Sequence, residues 1–329
     1  MKMASEVAGN VLSEFPEGLV RLAELDDPQR DLPRIACDPD QMAQIESFLS
    51  TLPSTHDLHL GDARRMVFLQ PESVHLVVTS PPYWNLKRYR ETEGQLGHID
   101  DYGEFLDQLD RVWRRCYDGL VPGGRLACVV GDVCLSRRRH GRHEVVPLHA
   151  AIQDRCRAIG FDNLTPIVWH KIANVTCESQ GRSNFLGKPY EPNAVIKNDA
   201  EFVLLFRKPG GYRRASLATR LASLISVENH RKWFRQIWSD IPGASAKNHP
   251  APYPLELAQR LVRMFSFAGD TVLDPFLGTG TTTVAAATWG RNSIGMEIDP
   301  DYFDDAIHRI EDVVSRLPSE SRVEAHRDW

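Results

Sequence analysis

Short apolar runs alternate with stretches whose apolar residues recur at helical spacing, and this alternation extends from about residue 56 to residue 317. Leu58–Leu60, Val74–Val78, Arg125–Val130, Leu164–His170, Ala200–Phe206, Thr271–Leu273 and Asn292–Met296 are too short for helices and are bounded by Gly, Pro or charge, so they are predicted as strands. Between them, Asp100–Tyr117 places Phe105, Leu109, Val112, Trp113 and Cys116 on one helical face. Arg64–Leu69, Val145–Ile159, Leu255–Phe265, Val284–Trp289 and Tyr302–Leu317 are also predicted as helices. Strands and helices taken in turn predict an α/β fold with a mostly parallel sheet and helices on both faces. Residues 1–55 carry a weaker pattern, acidic and broken by Pro16, Pro28 and Pro33, with one short helix expected over Pro39–Leu52. They are read as an accessory extension, residues 56–317 as the main body and 318–329 as a tail. Periodicity lapses over residues 171–198 and 209–245, which read as insertions that contact a partner.

Two turns interrupt the pattern in ways that suggest chemistry. The first follows Val74–Val78: Ser80-Pro81-Pro82-Tyr83-Trp84. Neither proline can donate to a sheet ladder, so the chain leaves the sheet there. It presents a hydroxyl, rigid carbonyls and two aromatic rings at the strand's carboxyl end, where open α/β sheets bind ligands. The second is Asp274-Pro275-Phe276-Leu277-Gly278-Thr279-Gly280-Thr281-Thr282, between a predicted strand and a predicted helix. The next strand ends in Glu297, 19 residues beyond Gly278. Glycines that admit a ligand to the backbone, followed by an acid on the next strand, resemble a nucleotide-binding βαβ unit. No lysine follows Gly280, which argues against a phosphate-gripping P-loop, and the third glycine of a dinucleotide fingerprint is missing.

Composition narrows the class. The 329 residues are 42% hydrophobic and 25% charged, without repeats or low-complexity tracts. No run reaches the length of a membrane span and the amino end lacks a signal-peptide pattern. Six cysteines without a Cys-x-x-Cys pair fit reduced thiols in a cytoplasm and give no reason to expect a metal site. The net charge of −5 conceals an uneven distribution: residues 134–245 hold 18 Lys and Arg against 9 Asp and Glu, a net of +9 in a body of −14. A basic middle of this kind suits a phosphate-bearing partner. Candidate contacts are Trp84, Lys87 and Arg88 after the Pro-Pro turn, Arg137, Arg138, Arg139 and Arg142 in one charged loop, and Arg182, Arg213 and Arg214 in the insertions. His140 and His143 in that charged loop lack metal-ligand spacing.

Together the two turns resemble those of the beta-group S-adenosylmethionine-dependent DNA amino-methyltransferases of the cytosine-N4 type. His249-Pro250-Ala251-Pro252-Tyr253-Pro254 and Gly61-Asp62 also match that family, and the likeness covers roughly residues 56–315. It implies a Rossmann-like fold with the catalytic turn preceding the cofactor turn, a permuted motif order. It further implies that Phe276, Gly278, Gly280 and Thr281 hold the methionine part of S-adenosyl-L-methionine, that Asp274 is also cofactor-binding, and that Lys247 and His249 lead into the helix beside the methionine end. Glu297 would hold the ribose hydroxyls and Asp62 would lie near the adenine. The partner implied is double-stranded DNA, in the cytoplasm of a bacterium or archaeon. The likeness also allows a homodimer and a cognate restriction endonuclease.

A cytosine amine is a weak nucleophile because its lone pair is delocalised into the ring. The Ser80 hydroxyl and the Pro81 carbonyl, held by Pro82, are the expected acceptors for its hydrogens, and Tyr83 is expected to stack on the base. Direct in-line transfer needs no covalent intermediate, with deprotonation to water afterwards. The target base must leave the duplex. Family experience associates serine before Pro-Pro-Tyr with cytosine N4; adenine N6 is the nearest alternative. A non-catalytic nucleic-acid-binding regulator and an RNA or small-molecule methyltransferase are the others.

Overall fold

The computed structural model describes residues 27–84, 89–135, 140–171, 198–243 and 253–327. Two helices come first, α1 (Pro28–Ala36) and α2 (Pro39–Leu49). Each has an aspartate cap, Asp27 and Asp38, and a proline in its first turn, where a missing N–H costs nothing. There follow β1 (Thr55–Leu60), β2 (Val74–Thr79), α3 (Tyr102–Gly119), β3 (Leu120–Val130) and a hairpin of β4 (Val133–Leu135) and β5 (Glu144–Val146). Next are α4 (Leu148–Ile159), β6 (Asp162–Asn163), β7 (Ile167–His170), β8 (Ala200–Arg207), α5 (Leu217–Ala222), α6 (Val227–Trp233) and β9 (Ile237–Trp238). The chain closes with α7 (Leu255–Phe265), β10 (Thr271–Asp274), α8 (Thr281–Thr288), β11 (Asn292–Glu297), α9 (Pro300–Val314) and β12 (Arg322–His326).

The main sheet runs β12-β1-β11-β10-β2-β3-β8-β7-β9, with β6 beside β8. From β12 to β3 every ladder is parallel, whereas β8 is antiparallel to both β3 and β7. From β2 the chain crosses through α3 to β3 on one side; from β10 it crosses through α8 to β11 on the other. The boundary between β2 and β10 is therefore the topological switch point, where the connections diverge and a crevice opens at the carboxyl ends.

Alternation along the strands sorts side chains onto two faces. Val77, Leu126, Cys128, Leu204 and Phe206 pack with Phe105, Leu109 and Trp113 of α3 and Ile152 of α4. Leu76, Val78, Ala127, Val129, Val203 and Val272 face Leu257, Leu261, Ala285 and Ala286 of α7 and α8. Val74 and Val77 share a face although they are three positions apart. A register shift between Val74 and Leu76 in the β2–β3 ladder restores the parity, as a bulge does.

Several details depart from the sequence pattern. The helix expected over Arg64–Leu69 is a 3₁₀ turn, Ala63–Arg65. The strand expected over Leu164–His170 begins only after Pro166, as β7, and a separate short strand, β6, lies just before the expected range. Part of the expected tail is β12, an edge strand paired with β1. Residues 209–245 were expected to be a partner-reading insertion. Within that stretch Leu221 and Ala222 of α5 are fully buried against Ile35, Ile45 and Leu49 of α1 and α2. An ion pair at 2.7 Å between Arg263 and Glu46, with Arg263 stacked 4.0 Å from the Trp289 ring centre, fastens α2 to the body. Among the described residues no helix is long and apolar enough to cross a membrane.

Candidate active site

The glycine-rich turn is built by the end of β10 and the start of α8. Gly280 caps α8 with a left-handed backbone (φ +77°), and Gly278 is also left-handed (φ +51°). The turn is strapped to the end of β11: Leu277 N–H donates to the Met296 carbonyl and Gly278 N–H to Glu297 Oε2, each at 2.8 Å. Glu297 Oε1 accepts from Ile298 N–H and Asp299 N–H at 3.0 Å. Burial pushes the Glu297 carboxyl up to about 7, against the pull of these N–H donors. A carboxylate offers about four acceptor directions. Three are spent on the backbone, so Glu297 retains room for about one further hydrogen bond at the cleft.

Asp274 ends β10 and is 1% exposed. It accepts from Thr79 Oγ1 at 2.7 Å, Thr282 Oγ1 at 2.6 Å, Phe276 N–H at 3.1 Å and the Tyr253 hydroxyl at 3.2 Å. Burial raises its carboxyl to about 6, and the four donors moderate that rise. Asp274 thus joins the end of β2, the glycine turn and the segment before α7, with no surface left for a ligand.

Thr79 leads directly to Ser80. Pro81 and Pro82 are buried, while Ser80 is half-buried and faces a cleft. Tyr83 is 6% exposed, and its hydroxyl donates to Glu201 Oε2 on β8 at 3.1 Å. Trp84 is held at φ +47°, a backbone that bulky residues avoid, with its ring tilted on Tyr102 at 5.1 Å. Beyond β3, Asp132 holds His149 Nδ1 at 2.6 Å, and the His149 ring stacks on Phe202.

The cleft lies at the switch point. Ser80 and Pro82 line one side, Phe276, Gly278 and Glu297 the other, and Asp62 stands at the end of β1. Arg64 pairs with Asp62 at 2.7 Å and reaches the Gly94 carbonyl, which ties the segment after Tyr89 over the cleft. Thr92 adds a bond to Asp299 at 2.9 Å, and Arg90 pairs with Asp301.

The structure therefore brings Ser80, Pro82, Asp62, Phe276, Gly278 and Glu297 to one cleft. It places others elsewhere. Gly280 and Thr281 turn towards α9: a Cβ on Gly280 would meet Ile310 Cδ1 at 2.7 Å, and Thr281 Oγ1 accepts from Arg309. The Tyr83 ring, expected to stack on a base, is buried. Arg213 lies at the opposite, amino-terminal edge of the sheet, where the buried Asp270 before β10 holds both of its terminal nitrogens. Arg214 is exposed on the same segment. Arg142 is exposed in the loop between β4 and β5, pairing with Glu144. Lys87, Arg88, Arg137, Arg138, Arg139, Arg182, Lys247 and His249 lie outside the described residues. Sequence reasoning overlooked Thr79, Glu201 and Thr282, and gave Tyr253 no role. Tyr253 and Thr282 stand within the recognised patterns, but Glu201 carried no signal on its strand.

Residues 74–308 match the family model of the N6 and N4 DNA methylases. The Type II methyltransferase M.MjaI of Methanocaldococcus jannaschii is 39% identical over 280 residues, spanning 75% of this chain and 88% of that protein. M.MthZI of Methanothermobacter thermautotrophicus, also a Type II methyltransferase, is 34% identical over 77% of this chain and 76% of its own length. A candidate DNA modification methylase of Thermus thermophilus, solved in complex with S-adenosyl-L-methionine, superposes with a TM-score of 0.68 at 51% identity. That match covers 83% of this chain and 99% of the other. The cytosine-N4-specific PvuII DNA methyltransferase has the same fold, with a TM-score of 0.55 at 20% identity over 83% of this chain and 98% of its own.

Proposed function

The chain belongs to the N6 and N4 DNA methylase family, and from that premise we propose that it methylates the exocyclic N4 amine of a flipped cytosine in double-stranded DNA, using S-adenosyl-L-methionine. The observation that carries this reading is the convergence of Ser80 and the Phe276–Gly278 turn on one cleft at the switch point. The cleft suits the cofactor. Phe276 offers an aromatic wall, Gly278 lets the backbone approach, and Glu297 keeps an acceptor direction for a ribose hydroxyl. When bound, the cofactor supplies a sulfonium methyl, an electrophile open to in-line attack by an amine.

The chain's own part is to position that amine. Ser80 and the Pro81 carbonyl accept its two hydrogens and direct its lone pair across the cleft, while the buried prolines hold both acceptors in place. Residues 56–317 act as the catalytic body. Arg142, exposed between β4 and β5, contacts the DNA backbone in this reading, whereas Trp84, also expected at the DNA, is buried against Tyr102. The Type II relatives support a role in site-specific modification, paired with an endonuclease of the same specificity, in a cytoplasm; assembly as a homodimer belongs to the same reading.

Methylation of unmodified genomic DNA, followed by nucleoside mass spectrometry, tests the proposal. N4-methylcytosine that disappears with Ser80→Ala is the expected result. N6-methyladenine in its place would overturn the assignment of the base, and cofactor binding without any product would overturn the assignment of DNA as substrate.

A further inference from the structure

Residues 89–96 follow the catalytic turn in the chain and form a strap along the cleft, tied down on both sides by the protein's own side chains. We propose that Arg64 is a positioning residue that latches this strap, so that unlatching governs both the entry and the exit of S-adenosyl-L-methionine. The inference rests on the cleft as the cofactor site and is independent of DNA and of the base that is methylated.

Arg64 stands in the 3₁₀ turn after β1, with its side chain 15% exposed and all three guanidinium nitrogens engaged. Nε donates to both oxygens of Asp62 at 2.9 Å, and Nη2 lies 2.7 Å from Asp62 Oδ2. Nη1 donates to Gln108 Oε1 of α3 at 2.9 Å, and Nη2 also donates to the Gly94 carbonyl at 3.2 Å. One planar fork thus joins the end of β1, α3 and the strap, and the fixed directions of its donors define where the strap sits. Gly94 fits the strap to that fork. Its backbone is left-handed (φ +82°), and a Cβ there would meet Arg64 Nη2 at 2.9 Å and Ile298 Cδ1 at 3.1 Å.

The other side of the strap is held at the start of α9. Thr92 Oγ1 donates to Asp299 Oδ2 at 2.9 Å, and Arg90 pairs with Asp301 and lies over the Tyr302 ring. Asp299 Oδ1 accepts from the N–H groups of Asp301 and Tyr302, while its own N–H donates to Glu297 Oε1. The strap is therefore anchored to the same turn that fixes Glu297. Gly94, Gln95 and Leu96 line the cleft with Asp62, Ile298 and Tyr302.

Every bond of the latch joins groups of the chain itself, so closure does not depend on contact with the cofactor. A ligand that waits for such an opening has its on-rate and its off-rate scaled together by the open fraction. A residue that merely touches the ligand, or merely shapes the cleft, changes chiefly the off-rate. That difference separates a latch from a wall.

Surface plasmon resonance of S-adenosyl-L-methionine on the immobilised full-length protein, without DNA, measures both rates. The variants are Arg64→Met, Arg64→Lys, Gly94→Ala and Thr92→Val. Arg64→Met and Gly94→Ala should raise both rate constants on the order of tenfold, the scale of one charge-assisted hydrogen bond, with Kd nearly level. Arg64→Lys, a point charge without the fork, should restore part of the wild-type slowness. Thr92→Val leaves Arg64 and Asp62 untouched and should move both rates the same way, which decides the matter if Arg64→Met disturbs the fold. An off-rate that rises while the on-rate stays constant overturns the latch and makes the strap a wall of the cleft. Rates unaltered in Gly94→Ala and Thr92→Val overturn the latch but leave the cleft as the cofactor site. A wild type that binds no cofactor would overturn the assignment of the cleft, and the latch with it.

Discussion

Thr79 and Asp274, 195 residues apart in the chain, are joined by a buried hydrogen bond of 2.7 Å. It fastens the last residue of β2, one position before Ser80, to the last residue of β10, which begins the glycine turn. The two halves of the site are thus held in register by a side-chain bond as well as by the β2–β10 ladder.

All four partners of Asp274 donate, two to each oxygen. Asp274→Asn would replace one oxygen with a donor and set it against two others. The expected cost is roughly 1–3 kcal/mol of stability, read as a lower urea midpoint. Activity should fall further than stability alone explains, because Ser80 and the glycine turn lose their common anchor.

Glu297 gives a pH dependence whose sign follows from burial. Its carboxyl is raised to about 7, so the ligand-free protein binds a proton there below neutrality. A ribose hydroxyl donates best to the ionised form. The apparent Kd for S-adenosyl-L-methionine should therefore be level above pH 7 and rise by up to about tenfold per unit below it. Isothermal titration across that range checks the slope, and proton release should accompany binding on the acid side. Glu297→Gln should flatten the slope and weaken binding by roughly tenfold or more.

Gly280 and Gly278 should separate by experiment. Gly280→Ala places a Cβ 2.7 Å from Ile310 Cδ1 on a left-handed backbone, so about 1–3 kcal/mol of stability should be lost. Cofactor affinity of the folded protein should remain near that of the wild type, because Gly280 faces α9. Gly278→Ala alters the cleft wall itself and should weaken cofactor binding more than it weakens the fold.

Two arginines expected to touch DNA should also diverge. Arg213→Ala breaks the ion pair with Asp270, which is 5% exposed on its side chain, and should lower thermal stability while leaving DNA affinity and its salt dependence unchanged. Arg142 is 77% exposed, and Arg142→Ala should leave stability unchanged and reduce the slope of log K against log salt by about one. Filter binding at several salt concentrations, beside thermal melts, distinguishes them.

Much of the site was legible from residue types that admit few alternatives. Paired prolines stop a strand, glycines before a helix let a backbone approach a ligand, and an acid at the next strand's end faces that ligand. Arg213 and Gly280 were legible by type but misplaced by role, since a basic residue or a glycine serves packing as readily as binding. Glu201 left no local mark, because a carboxylate near the start of a strand looks the same whether it faces water or a tyrosine.

By itself the sequence determined most of the central strands and long helices of residues 56–317, the two turns and the family they resemble, because periodicity and turn chemistry act over a few residues. Only the tertiary structure decided that β2 and β10 lie side by side and that Asp274 anchors both turns. It also decided that α5 packs against the amino-terminal helices and that the Tyr83 hydroxyl meets Glu201 on β8. Those relationships join residues distant in the chain through buried hydrogen bonds and shared apolar surface, whose energies depend on which side chains meet rather than on their order.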